Sequence, residues 1–138
     1  MTRLTWDQYA LNIAHAVKAR SEDPFLQVGA VLMRPDHSIA AVGYNGAPPG
    51  VDIDWSDRDN RRAHVIHAEA NALRFVRPGE VHTVASTTLS CAQCMLLLSS
   101  YGIHRVVYSN ELDARYHDRE FIVKLANECG IEIVKERS

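Results

Sequence analysis

The feature that most limits the fold is the rhythm of the C-terminal half. Short apolar segments at residues 81–86, 105–108 and 131–134 are separated by helical patterns at 92–101 and 118–128. Strands alternating with helices of that length imply parallel pairing through crossover connections. The N-terminal half reads differently. Thr5-Trp6-Asp7-Gln8 has capping-box form, and Trp6, Tyr9, Ile13 and Val17 follow at helical spacing, which predicts a helix over 5–20. Val28 to Met33 is a continuous apolar run, as expected of a strand covered on both faces. Residues 34–38 read as a turn and Ile39 to Tyr44 as the returning strand of a hairpin. A turn-forming segment from Asn45 to Gly50 leads into a polar loop reaching Arg62, and a helix follows over 68–75. The expected order is α-β-β-α-β-α-β-α-β: a three-layer α/β/α domain around a five-stranded mixed sheet. No internal repeat or low-complexity tract interrupts it, so residues 1–138 are read as one domain.

Composition narrows the class. Of 138 residues, 46% are hydrophobic, enough for a core that needs no disulfide staples. The three cysteines are an odd number, which argues against a secreted disulfide framework. Cys129 lies in an apolar helical pattern and reads as core. A net charge of -2 provides no electrostatic footprint for nucleic acid, so a phosphate-bearing partner must be met by a few local arginines. No apolar stretch approaches the length of a membrane span, and the N-terminus lacks a signal-peptide core. The expectation is a cytoplasmic protein without a membrane partner.

Two segments carry the chemistry, His67-Ala68-Glu69 and Cys91-Ala92-Gln93-Cys94. One imidazole and two thiolates make a three-ligand zinc site whose fourth position is open to water, the arrangement of catalytic sites. Glu69 is then free to carry protons as a general acid and base. Residues at i and i+2 inside a regular helix point apart, so His67 and Glu69 can converge only if His67 opens its helix. Thiolates at the start of the 92–101 helix would be favoured by its dipole. A structural zinc site would need a fourth protein ligand, for which His64 and His82 are candidates. A redox dithiol would need a thioredoxin-like pattern, and none surrounds these cysteines.

These residues resemble the cytidine deaminase superfamily, whose signature is H-x-E followed by P-C-x-x-C. The chain looks most like the deoxycytidylate (dCMP) deaminase branch. Gln27-Val28-Gly29-Ala30, Gly43-Tyr44-Asn45-Gly46-Ala47-Pro48-Pro49-Gly50, His67-Ala68-Glu69-Ala70-Asn71-Ala72 and Tyr116-His117-Asp118 resemble its segments in the right order. The resemblance implies hydrolytic deamination at cytosine C4, dCMP giving dUMP and ammonia, with Glu69 passing protons to N3 and to the leaving amine. It also implies Asn45 on the sugar, the Ala68 backbone on the base, and Arg20, Ser21 and Tyr116 on the 5′-phosphate. Relatives in this branch are commonly homo-oligomers, often hexamers, regulated by dCTP and dTTP. Gly46, Arg58, Arg61 and Arg62 are the candidate effector residues here, although Asp52, Asp54, Asp57 and Asp59 offset those arginines.

Two positions depart from the pattern. Ser90 replaces the proline before the first cysteine; it gives up stiffness but is a preferred N-cap residue. Phe25 stands where the branch tends to have a small or polar residue. Either change can shift the accepted nucleotide toward a 5-modified dCMP or dCTP. The competing functions are a tRNA-editing deaminase, a guanine or free-nucleoside deaminase, and a non-catalytic zinc-stabilised nucleotide-binding module. The acidic balance speaks against the first, and the presence of Glu69 against the last.

Overall fold

A computed structural model describes residues 2–137, which form five helices and five strands. The first helix, α1 (Trp6–Lys18), starts at the expected box: the Gln8 N–H donates to the Thr5 hydroxyl, and the Thr5 N–H donates to the Gln8 side chain. β1 (Gly29–Met33) is buried at every position and forms an antiparallel hairpin with β2 (Ile39–Tyr44), as the apolar run and the turn predict. β3 (Thr83–Thr88) lies antiparallel to β1 on its other side. β4 (Arg105–Asn110) and β5 (Glu132–Lys135) follow in parallel, giving the sheet order β2-β1-β3-β4-β5.

Alternation along the strands builds two cores. Leu32, Val84, Val106 and Tyr108 face one side; Val31, Met33, Ala85 and Val107 face the other. On the second side α1 closes the core with Ala10, Leu11 and Ala14. On the first side lie α3 (Ala68–Leu73), α4 (Ala92–Ser100) and α5 (Arg119–Glu128), contributing Leu73, Met95, Leu98, Ile122 and Ala126. Both crossovers, through α4 and α5, advance the same way along the sheet, so a single handedness puts both helices on one face. Each fully buried Leu or Ile adds about 1.5–3 kcal/mol. Gly43 lets α3 lie directly on β2, because a Cβ there would come within 2.5 Å of the Ala68 carbonyl oxygen and the Ala72 nitrogen.

The structure corrects several expected boundaries: α1 ends at Lys18 rather than 20 and α3 at Leu73 rather than 75, and three further differences follow. The segment read as loop up to Arg62 contains a helix, α2 (Arg58–His64), capped by Asp57, whose carboxylate accepts from the Asp59 and Asn60 N–H groups. It buries no residue, so it shows no apolar period; its cap was its one sequence signal. The third strand starts at Thr83 rather than 81, and all six of its residues are buried. Four of the six are Ser or Thr, and their burial is met by internal hydrogen bonds such as Ser86 donating to the Thr88 carbonyl and Thr87 accepting from the Gly29 N–H. β4 runs two residues beyond the expected 108 and stays paired with β3 as far as Thr88. Cys129 caps α5 and packs partly buried against the core. Among the described residues no helix is long and apolar enough to cross a membrane.

Candidate active site

A cleft of about 540 Å³ opens beyond the C-terminal end of β3, within the roughly 300–1,000 Å³ usual for small-molecule sites. The region beyond the carboxyl ends of parallel strands is where open α/β sheets bind ligands. Its floor contains His67, Ala68, Glu69, Thr88, Leu89 and Cys91; its rim contains Phe25, Arg58, Arg61, Arg62, Arg115 and Tyr116.

His67 and Cys91 are both N-cap residues, with extended backbone and no side-chain capping bond. Their side chains are therefore free to turn inward, and His67 and Glu69 converge because His67 stands outside the helix that carries Glu69. His67 Nδ1 lies 3.2 Å from Cys94 Sγ and 3.5 Å from Cys91 Sγ. A tetrahedral zinc with bonds of about 2.0–2.3 Å sets its donors roughly 3.5 Å apart, so this donor set fits zinc in both chemistry and spacing. Among the described residues no other group of three or more His, Cys, Asp or Glu donors is gathered so closely. His64 instead donates to the Asn60 carbonyl, and His82 pairs with Thr83 beside His104, so neither of the candidate fourth ligands takes part.

The electrostatics suit a thiolate site. The Cys91 thiol is pulled down to about 4 by hydrogen bonding from Cys94 and then from His67. Cys94 moves the opposite way, through its bond to Cys91 and its burial. Hydrogen bonding to Cys91 raises His67 despite partial desolvation. Glu69 is 4% exposed, and burial pushes its carboxyl up, toward a group that can hold or release a proton nearer neutrality.

Ser90 is the polar oddity behind the floor, buried next to Cys91 and not itself lining the cleft. Cys91, not Ser90, is the N-cap of α4, so the expected capping role is not taken up. The Ser90 hydroxyl lies beside the Glu69 carboxyl and favours its ionised form, yet it meets no partner at hydrogen-bonding distance and angle. A buried hydroxyl left unmet in this way costs about 1–3 kcal/mol.

The expected substrate contacts divide. Ala68 lines the cleft and, as first residue of α3, has an N–H without a partner one turn back. Asn45 also lines the cleft, but its amide is committed: Oδ1 accepts from the Val28 N–H, and Nδ2 donates to the Leu26 carbonyl and Asp23. Arg20 and Ser21 lie outside the lining; the Ser21 hydroxyl donates to the Asn45 carbonyl and serves the loop. Gly46 also lies outside, bridged through its backbone to Ile66. The arginines read as an effector patch instead line the cleft with Tyr116. Arg58 stacks on Tyr116 at 4.2 Å, Arg62 and Arg115 approach the same ring at 5.7 and 5.4 Å, and Arg61 stacks on Phe25 at 4.0 Å. Arg115 escaped the sequence reading, although it adjoins the tyrosine that the reading singled out.

The profile of the cytidine and deoxycytidylate deaminase zinc-binding region matches residues 4–110. The chain belongs to this deaminase family. A probable deoxycytidylate deaminase of Caenorhabditis elegans is 38% identical over 114 residues, covering 77% of this chain and 58% of that protein. The deoxycytidylate deaminase of Mycobacterium phage D29 is 36% identical over 130 residues, covering 80% and 99%. The chain thus spans little more than half of the nematode relative and nearly all of the phage deaminase. In fold it is similar to the dCMP deaminase of cyanophage S-TIM5, solved with dCMP and dUMP: TM-score 0.81 at 23% identity, covering 99% of this chain and all of that one.

Proposed function

We propose that this protein hydrolytically deaminates a deoxycytidine nucleotide, dCMP to dUMP and ammonia. The observation that carries the reading is a buried carboxyl, Glu69, opening on the same cleft as a His-Cys-Cys donor set, under a rim of arginines. His67, Cys91 and Cys94 hold zinc, and Glu69 is the catalytic residue. Zinc bound there supplies Lewis acidity and lowers the pKa of water from about 16 to about 7. Glu69 takes the proton from the attacking water and delivers it to N3, then brings a second proton to the exocyclic nitrogen. The C4–O bond forms with the first transfer; the second proton comes from the hydroxyl so placed on C4, and as the C4–N bond breaks ammonia carries it away and the C4 carbonyl remains. The free Ala68 N–H faces the base, while Asn45 shapes the wall beside the sugar.

The phosphate assignment moves from Arg20 and Ser21 to the rim. Among the described residues Arg58, Arg61 and Arg62 have no carboxylate within ion-pair reach, whereas Arg115 is held by Asp113. Stacking holds the guanidinium faces of Arg58 and Arg61 and leaves the N–H edge of Arg58 free for phosphate oxygens, while Arg61 commits Nη1 to the Trp55 carbonyl and keeps its other N–H groups for them. We therefore give the α2 arginines to the substrate, not to a dCTP or dTTP effector. Arg62→Met is expected to raise KM for dCMP about 10-fold, the low end for a hydrogen bond to a charged group in so open a position, with deoxycytidine turnover unchanged. Steady-state kinetics on the two substrates check this.

The reading also includes cytoplasmic nucleotide supply by one deaminase domain and assembly into a homo-oligomer such as a hexamer. Exposed Phe75 just past α3, Leu96 on α4 and Phe121 on α5 support assembly. Ultraviolet absorbance of zinc-loaded protein with dCMP tests the activity, beside a panel of deoxycytidine, dCTP, 5-modified dCMP, guanine and single-stranded RNA. Loss of the cytosine signal, fastest with dCMP, is expected. A protein that binds zinc yet turns over none of the cytosine nucleotides would sink the proposal.

A further inference from the structure

Ser90 combines two facts that do not explain each other. It departs from the proline of its family's pattern, and among the described residues its Oγ is the one buried side-chain polar atom without a partner. At 1% exposure the hydroxyl cannot turn to solvent. Helix capping does not account for it, because Cys91 occupies the cap position. The ionisable group it faces is Glu69, in the first turn of α3 and itself buried. A hydroxyl has one proton to donate, and a carboxylate has about four lone-pair positions to accept it.

We propose that Ser90 is a positioning residue for Glu69, its hydroxyl donating to one carboxylate oxygen when the cleft is filled. The assignment rests on the deaminase reading above. A carboxylate that serves N3 and then the exocyclic nitrogen has to present one oxygen to both. Anchoring the other oxygen to Ser90 fixes that presentation without occupying the oxygen that carries the proton. Proline at this position has neither hydroxyl nor N–H, so the anchor is a property of this chain.

A purely structural serine predicts the reverse of this on substitution. Proline suits the residue entering a helix, so Ser90→Pro would then leave turnover intact or improve stability. On the positioning reading, Ser90→Ala and Ser90→Pro both lower kcat for dCMP about 10-fold, the usual scale for losing a group that orients a catalytic one. KM and zinc content stay at wild-type values, and Ser90→Thr, which restores a hydroxyl, recovers most of kcat. In a Glu69→Gln background, Ser90→Ala adds nothing further, because the carboxylate it acts through is gone.

Kinetics, zinc analysis and circular dichroism on these variants decide the matter. Should Ser90→Ala fail to fold, Ser90→Pro carries the same expectation. Wild-type kcat in both variants overturns the proposal, as does a loss confined to KM or to zinc content. So does an undiminished effect in the Glu69→Gln background. Any of these with an active wild type leaves the deaminase reading standing. A wild type inactive on all cytosine nucleotides removes that reading and this assignment together.

Discussion

Glu69→Gln is expected to lower kcat for dCMP about 10²–10⁴-fold, the range over which a positioned general acid and base acts. Glutamine keeps the shape of the side chain and removes its proton-carrying oxygen, so packing in the first turn of α3 is retained. Burial is what makes the carboxyl fit for the work, since it raises the group toward neutrality. The neutral amide removes a desolvated charge, so the variant should fold at least as well as wild type. Zinc per chain should be unchanged, because the donors are His67, Cys91 and Cys94. Absorbance assays with metal analysis check both halves. A Glu69→Gln enzyme of near wild-type kcat would mean that the protons travel elsewhere.

Cys94→Ala is expected to abolish bound zinc and turnover together. Losing a partner that merely orients a metal ligand typically costs roughly 10–100-fold in affinity or activity, and a ligand itself exceeds that. The remaining pair, His67 and Cys91, falls one donor short of the three that open zinc sites use. Cys94 is 5% exposed and lies at the junction of α3 and α4, so lower thermal stability should accompany the loss. Chelation of wild-type protein should give the same inactive state and zinc addition should restore it, while Cys94→Ala stays inactive on zinc addition. Full zinc and full activity in Cys94→Ala would remove Cys94 from the ligand set.

Local chemistry was legible in the residues, and tertiary proximity was not. The Thr5–Gln8 box, the Val28–Met33 run and the βαβαβ rhythm are governed by neighbours along the chain, and α1, β1 and the parallel half of the sheet follow them. The two motifs are equally local, since each places its donor at a helix entrance. α2 escaped because a helix with no buried face has no apolar period to display. The rim escaped for another reason. Arg58 and Tyr116 lie 58 positions apart, and only tertiary folding puts the Tyr116 ring against the two α2 guanidiniums of Arg58 and Arg62. The Asn45 amide was read as a substrate contact from its place in a motif, but its bonds to Val28, Leu26 and Asp23 show it fastening the 23–28 loop.

The exposure of α2 has an evolutionary consequence. Its side chains touch the cleft and the rim aromatics but no part of either core, so exchanging them leaves the folding of the sheet alone. Substrate preference can therefore drift here under weak constraint, while the zinc end of the cleft is held by two cores that tolerate little change. Among kindred enzymes, differences in phosphate recognition should gather in this short segment, and grafting it between two of them is a compact way to exchange their preferences.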